Sequence, residues 1–136
     1  MEHATLGVMR ELRALGIRLA LDDVGTGYSS LSHLTTFPLD ALKIDRSFVA
    51  RVTHPREGAL VETVIRLARA LRLDVVAEGI ETADQERRLS ALGCRFAQGV
   101  RFSRPVDVTA VAGLLARGSL RGGAARMSVR PRKPVP

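Results

Sequence analysis

Two adjacent carboxylates follow a short apolar run near the start of the chain. The run Leu19-Ala20-Leu21, which is typical of a buried parallel strand, leads directly into Asp22 and Asp23. The residues after them that favour a tight turn or a helix cap are Gly25, Gly27, Ser29 and Ser30. Acids are also ordinary turn residues. Asp22 and Asp23 therefore have two interpretations: they cap backbone amides in a loop, or they form part of a site.

Polar residues also occur where the other apolar runs end. The four predicted strands are Ile17–Leu21, Ala41–Asp45, Asp74–Ala77 and Arg95–Ala97. The second ends at Asp45, and Glu78 and Gln98 follow the third and fourth. Lys43 is two positions before Asp45, so both point to the same side of the second strand.

Helical patterns separate these strands. The predicted helices are Thr5–Leu15, Leu31–Thr36, Glu57–Leu71, a segment from Ala83 to just before Gly93, and Val108–Ala116. A capping box, Thr82-Ala83-Asp84-Gln85, predicts one helix start, and Asp107 is the expected cap of the last helix. Alternation of strands and helices predicts an α/β fold with a parallel sheet and right-handed crossovers. The carboxyl ends of the strands would then lie on one face.

Four carboxylates on one face repel one another unless cations hold them. Hard oxygen ligands favour Mg²⁺ or Mn²⁺, and the sequence offers no cluster of His or Cys for zinc. With Lys43 to offset phosphate charge or to position a water, this set is suited to two-metal cleavage of a phosphodiester. The alternative is that Lys43 and Asp45 form a structural ion pair.

Composition sets further limits. The net charge is +7, but residues 117–136 hold six basic residues and no acid, which leaves fifteen basic and fourteen acidic residues in the remainder. The basic tail is expected to be a disordered, solvated extension. The alternative is a surface for nucleic acid or anionic lipid, although the tail lacks the interleaved aromatic residues that would stack on bases. No apolar run is long enough to cross a bilayer. The single cysteine, Cys94, forms no internal disulfide and is expected to be a small buried apolar residue in a cytoplasmic protein.

Four motifs resemble one known family, the EAL-domain cyclic-di-GMP phosphodiesterases. Residues 21–31, LDDVGTGYSSL, resemble that family's DDFGTGYSSL segment, and residues 42–49, LKIDRSFV, match its LKIDRSFV. Residues 77–82, AEGIET, are similar to AEGVET, and residues 98–105, QGVRFSRP, are similar to QGYLFSRP. The motifs occur in the family's order and spacing over residues 4–106.

The resemblance implies a TIM-like barrel that hydrolyses cyclic-di-GMP to pGpG with Mg²⁺ or Mn²⁺. It implies that Asp22, Asp23 and Asp45 are metal ligands. It implies that Lys43 contacts the water or the phosphate and that Glu78 is a candidate base. Glu81 and Gln98 would line the substrate site.

The resemblance covers only the C-terminal part of such a domain. The Glu-Ala-Leu signature is absent from the sequence, and the family's early ligands would precede Met1. We therefore expect about four C-terminal βα units of a partial barrel in residues 1–117, with a basic tail in residues 118–136. The first hypothesis is an enzyme fragment that is inactive alone or needs the missing N-terminal half. Two copies could also pair as a homodimer, which would restore eight strands. The alternative hypothesis is a non-catalytic module for cyclic-di-GMP binding, regulation or dimerisation, and a third is a truncated reading frame with no function of its own.

Overall fold

The computed structural model of the chain describes residues 2–24 and 31–118. Within them, helices and strands alternate as the sequence predicts. The helices are α1 (Glu2–Ala14), α2 (Leu31–Thr36), α3 (Arg46–Val49), α4 (Pro55–Ala70), α5 (Ala83–Ala91) and α6 (Val108–Ala116). The strands are β1 (Ala20–Val24), β2 (Ala41–Ile44), β3 (Asp74–Ala77) and β4 (Phe96–Ala97).

The four strands form one parallel sheet in the order β1-β2-β3-β4. This confirms the α/β fold with parallel strands. Because neighbouring strands are joined by crossovers, their carboxyl ends all lie at the same edge of the sheet. That edge is the one at which the predicted site residues occur.

The core lies between one face of the sheet and the helices α4 and α5. On the sheet side it contains Leu42 and Ile44 of β2, which are 0% and 1% exposed, and Ala77 of β3. Ile65 of α4 and Leu89 of α5 pack in the same cluster. Side chains that alternate with Leu42 and Ile44 along β2 lie on the opposite face of the sheet, and Lys43 is one of them.

The buried face of α4 differs from the predicted one. The apolar pattern of the sequence predicts that the stripe facing the core comprises Leu60, Val64, Leu67, Ala68 and Leu71. Leu60, however, is 47% exposed. The buried residues are Gly58, Val61, Ile65 and Ala68. Gly58 lets the start of α4 approach the backbone of Val52 closely, because a Cβ on Gly58 would lie 2.6 Å from the backbone oxygen of Val52.

The first strand also differs from its predicted bounds. It was expected to end at Leu21, whereas β1 continues through both acids to Val24. Leu21 pairs with Leu42 and Val24 pairs with Ile44, so β1 holds one residue more than β2 over this stretch. The acids therefore lie in a β-bulge near the end of the strand.

Other boundaries shift by a few residues. The segment between the second predicted strand and the helix after it, for which the sequence predicts only a short turn, contains the one-turn helix α3. The last helix has the predicted bounds, with Asp107 as its cap. Cys94 is partly buried against the core, and burial raises the pKa of its thiol.

In the described residues no helix has the length and apolar character needed to span a bilayer. The predicted turn and caps at Gly25, Gly27, Ser29 and Ser30, and the basic tail after Gly118, lie outside the described residues.

Candidate active site

Three carboxylates meet at the carboxyl edge of the sheet. Asp22 and Asp23 come from the bulge of β1, and Glu78 follows the last residue of β3. One oxygen from each lies within 4.8 Å of the others. The strand β2 runs between β1 and β3, so the cluster spans three neighbouring strands of the sheet.

Lys43 of β2 lies between two of these acids. Its Nζ is 2.9 Å from Oδ2 of Asp22 and 2.6 Å from Oε1 of Glu78. Its side chain is 27% exposed and that of Glu78 is 19% exposed, so the pair is partly shielded from water. The hydrogen bonds to Glu78 and then to Asp22 raise the pKa of Lys43, which keeps the ammonium charged at neutral pH.

The bulge fixes the orientation of Asp22. Asp23 has a φ of 54°, which is uncommon for a residue other than glycine. In this conformation the backbone N–H of Asp23 donates to Oδ1 of Asp22 at 2.9 Å. The hydrogen bond from Lys43, and then that from the Asp23 amide, lower the pKa of Asp22 and favour its ionised form.

Two glycines hold the loops that carry Glu78 and Gln98 against their neighbours. Gly79 has a φ of 70°, and a Cβ there would lie 2.5 Å from Cβ of Arg46. A Cβ on Gly99 would lie 2.2 Å from the backbone oxygen of Ile80. Sequence reasoning assigned no role to either glycine, although each stands inside one of the motifs.

Hydrogen bonds reinforce these loops. The amide of Ile80 donates to the oxygen of Gln98 at 3.0 Å, and the amide of Arg101 donates to the oxygen of Ile80 at 3.0 Å. The buried side chain of Gln85 accepts from the amides of Glu81 and Thr82, which completes the predicted capping box. The position of Glu78 is thus tied to the start of α5 and to the loop after β4.

The structure places Asp45 apart from the three-carboxylate cluster. Asp45 caps α3, and its Oδ1 accepts hydrogen bonds from the amide and the hydroxyl of Ser47. These bonds lower its pKa, the hydroxyl contributing most. Repulsion from the Asp45 carboxylate opposes the lowering of the pKa of Asp22 without reversing it. The alternative prediction was a structural ion pair between Lys43 and Asp45. Among the described residues, the ion-pair partners of Lys43 are instead Asp22 and Glu78.

Glu81 and Gln98 lie on the loops after β3 and β4, and both side chains are exposed. Their backbones are fixed by the bonds to Gln85 and Ile80, which leaves the side chains at the surface. Their predicted role in lining the substrate site stays a prediction, as does the role of Asp45 as a metal ligand.

The cluster of Asp22, Asp23 and Glu78 fits a hard divalent cation. It offers oxygen atoms alone, at mutual distances that one ion can span. Lys43 already supplies positive charge between two of the acids, which indicates that this position favours a cation. Within residues 2–24 and 31–118 this is the one group of three such ligands, so the described geometry supports a single ion position.

Comparisons with known proteins identify a family and several relatives that match most of this chain. The family model described as the EAL domain matches residues 1–105. The cyclic di-GMP phosphodiesterase RocR of Pseudomonas aeruginosa is 48% identical over 96 residues, which are 70% of this chain and 24% of RocR.

Solved structures show the same relationship. The EAL domain of Mycobacterium smegmatis DcpA is 43% identical with a TM-score of 0.82, and the match covers 86% of this chain and 53% of that one. Klebsiella pneumoniae BlrP1, in a complex with manganese and cyclic-di-GMP, is 42% identical with a TM-score of 0.68 over 73% of this chain and 26% of its own. The chain therefore spans only part of the proteins that it resembles.

Proposed function

This chain belongs to the EAL-domain family, and on that premise we propose that it supplies one part of a cyclic-di-GMP phosphodiesterase site. The observation that carries the proposal is the cluster of Asp22, Asp23 and Glu78 around Lys43. Support also comes from the phosphodiesterase RocR and from the complex of BlrP1 with manganese and cyclic-di-GMP. The reaction proposed is hydrolysis of cyclic-di-GMP to linear pGpG.

Asp22 and Asp23 would hold the divalent cation, with Mn²⁺ or Mg²⁺ as the candidates, and Glu78 would lie beside them as the candidate base. Bound there, such an ion would act as a Lewis acid on a phosphoryl oxygen. The hydrogen bonds to Asp22 keep that carboxylate ionised and therefore ready to bind a cation. Asp45 would support a second ion, which requires its carboxylate to serve the ion as well as the cap of α3.

Lys43 is proposed to orient the scissile phosphate. Because its pKa is raised, it stays protonated at neutral pH and donates hydrogen bonds without acting as a base. Glu78 is the candidate base: its carboxylate would take a proton from the attacking water. The water oxygen would then bond to phosphorus as the ester bond to the ribose oxygen breaks, and the proton that Glu78 accepted would pass through solvent to that oxygen, which restores the Glu78 carboxylate. Glu81 and Gln98 would contact the nucleotide from the adjacent loops.

The second candidate function for the chain by itself is binding of cyclic-di-GMP without hydrolysis. With four strands of an eight-stranded barrel, the chain can retain contacts to cyclic-di-GMP without a complete set of ligands. We expect saturable binding without product in that case. We expect no turnover by the isolated chain, since precise placement of the nucleophile needs the whole ligand set.

The first experiment measures pGpG by chromatography after incubation of the purified chain with cyclic-di-GMP and Mn²⁺ or Mg²⁺. The expected result is no product above the buffer blank from protein that circular dichroism shows to be folded. Product that disappears in Asp22→Ala would show that these ligands suffice alone and would contradict our expectation of inactivity.

A chimera tests the phosphodiesterase proposal directly. In it, the matching residues of this chain replace the corresponding 96 residues of RocR. We expect hydrolysis by the chimera, and losses of more than about a hundredfold in Asp22→Ala and in Lys43→Ala. Asp84→Ala is the matched control, because Asp84 is an exposed acid on α5 paired with Arg87. A folded chimera that yields no pGpG would overturn the proposal.

A further inference from the structure

Arginines are concentrated at the edge where the strands of the sheet begin, opposite the three-carboxylate cluster. The segments that lead from a helix into each of the four strands lie at this edge, namely residues 13–19, 37–40, 69–74 and 92–95. Together they contain five arginines and two acids, and no lysine or glutamate, which gives a charge of +3. Nearly every link at this edge therefore contributes a cation.

Both acids at this edge are already paired. Arg13 lies 3.2 Å from Asp40, and Arg18 lies 2.6 Å from Asp74. The two arginine side chains are still 46% and 65% exposed, so the ion pairs leave guanidinium surface open to solvent. The remaining positive charge of the edge belongs to the other three arginines.

Those three arginines, Arg69, Arg72 and Arg95, form what we call the basic edge. All three are exposed, and in the described residues no acid lies within ion-pair distance of them. Arg69 reaches from α4 to the link before β4, where its guanidinium occupies the space that a Cβ on Gly93 would take. In that same link, the guanidinium of Arg95 lies 5.8 Å from the centre of the Phe96 ring. Cations without a counter-charge therefore face solvent at the starts of β3 and β4.

Arg72 occupies a position at which glycine is the usual residue. α1 and α5 are each followed by a glycine in the left-handed region, Gly16 with a φ of 83° and Gly93 with a φ of 84°. After α4 the same conformation is adopted by Arg72, with a φ of 59°, although it disfavours residues that have a Cβ. A basic side chain held in an unfavourable backbone conformation indicates that its charge has a use.

The geometry of the edge favours phosphates in a plane over a nucleic acid. In the described residues the aromatic rings near this edge are engaged, since Phe37 stacks on His33 at 4.9 Å and Phe96 lies beneath Arg95. No ring is thus presented for base stacking. A duplex is read by a helix or a two-stranded ribbon in its major groove, whereas the basic edge consists of a helix end and links. Guanidinium groups match phosphate oxygens, which anionic lipid headgroups present at a membrane surface.

We propose that the basic edge is a docking surface for a membrane that contains anionic phospholipids. The proposal goes beyond the proposed function and does not depend on it. With the basic edge on the membrane, the cluster of Asp22, Asp23 and Glu78 points away from the anionic surface. Repulsion between that cluster and the lipid charges opposes the inverted orientation. The carboxyl edge of the sheet would thus stay open to solvent.

The test measures co-sedimentation of the whole chain with vesicles of phosphatidylcholine, or of phosphatidylcholine mixed with phosphatidylglycerol, at low and at physiological salt. We expect binding to the mixed vesicles only, weakened by salt because exposed charges are screened. Equal binding to both kinds of vesicle would mean that apolar surface makes the contact. That result, or no binding to mixed vesicles at low salt, would overturn the proposal.

Two triple variants locate the surface. Replacing the three arginines of the basic edge with glutamine should weaken binding to mixed vesicles more than about tenfold. The matched control replaces three exposed arginines toward the carboxyl edge: Arg56→Gln, Arg87→Gln and Arg104→Gln. Both variants lower the net charge from +7 to +4 and keep the basic tail, so equal losses would assign the binding to net charge or to the tail and contradict the proposal.

Arg72→Gly separates the charge from the structure. Glycine relieves the positive φ, so the free energy of unfolding should not fall. The affinity for mixed vesicles should nevertheless fall about threefold or more, and Arg72→Lys should retain it. Undiminished binding by Arg72→Gly would count against the proposal. Tighter binding to a duplex DNA oligonucleotide than to the vesicles, with the same loss in the basic-edge variant, would assign the surface to nucleic acid instead.

Discussion

Lys43 is the residue whose removal changes the site most. It lies between Asp22 and Glu78, and Glu78 is only 19% exposed. In Lys43→Met the two carboxylates would face each other without a counter-charge, with one of them partly buried. We expect the free energy of unfolding to fall by about 1–2 kcal/mol, as measured by urea denaturation at neutral pH.

A surface pair provides the control for this measurement. Arg66 and Glu62 are 2.5 Å apart on α4, and the Arg66 side chain is 75% exposed. Arg66→Met should change stability by no more than about 0.5 kcal/mol, as is usual for exposed pairs. Equal effects of the two substitutions would mean that Lys43 contributes no more than an ordinary surface charge.

Gly99 is predicted to tolerate no side chain. A Cβ there would lie 2.2 Å and 2.3 Å from the backbone oxygen and nitrogen of Ile80, and backbone atoms cannot move aside as a flexible side chain does. Gly99→Ala should lower the free energy of unfolding by about 2–3 kcal/mol, measured by thermal or urea denaturation. Gly7→Ala in α1 is the control: nothing lies within 4 Å of its added Cβ. It should stabilise the chain by up to about 1 kcal/mol.

For the three-carboxylate cluster, the sequence predicted the location of the side chains better than their contacts. The positions of Asp22 and Asp23 after the first apolar run and of Glu78 after the third were enough to predict that they lie at the same end of a parallel sheet. The spacing of Lys43 and Asp45 was a poor guide to partners, because Asp45 forms a local cap with Ser47 while Lys43 reaches across to β1 and β3. Such a choice between local and cross-strand partners depends on side-chain geometry that residue spacing does not contain.

At the scale of elements, the cap of α6 is predicted to respond to acid. Asp107 accepts hydrogen bonds from the hydroxyl of Thr109 and the amide of Ala110, and the bond from Thr109 contributes most to lowering its pKa. A group whose pKa is lower in the folded state stabilises that state above its unfolded pKa of about 4. This contribution is lost as the pH falls through the lowered folded pKa.

The measurement is the Ala110 amide resonance followed by NMR from pH 7 downward, over the range in which the core stays folded. We expect a transition below pH 4 or so, with fraying of α6 on the acid side. Asp107→Asn keeps an acceptor that does not titrate, so its Ala110 amide should be insensitive to pH. The same transition in the Asn variant would assign it to another group.

Elements with a strong local signal were predicted well, and the others were not. The capping box at Thr82 and the cap at Asp107 gave the starts of α5 and α6 correctly. The bounds of β1 were wrong, because a bulge carries the strand through residues that otherwise favour turns. The buried face of α4 was shifted because apolar residues occupy several adjacent positions, and packing around Gly58 selects among them.

For the whole molecule, the same packing predicts an uneven stability. β2 and β3 have neighbours on both sides, and their core residues are almost fully buried. β1 lies at an edge, and α1 and α6 contribute nothing to the core cluster. Local opening is easiest where few apolar contacts must be broken. Amide exchange should therefore be slowest in β2 and β3 and fastest in α1 and α6.

Hydrogen–deuterium exchange with mass spectrometry can check this order in the purified chain. For the chain alone, we expect peptides from α6 to exchange at least about a hundredfold faster than those from β2, which corresponds to a difference in opening free energy of about 3 kcal/mol. Strong protection of α6 in the chain alone would contradict this order and would mean that its apolar surface is already covered.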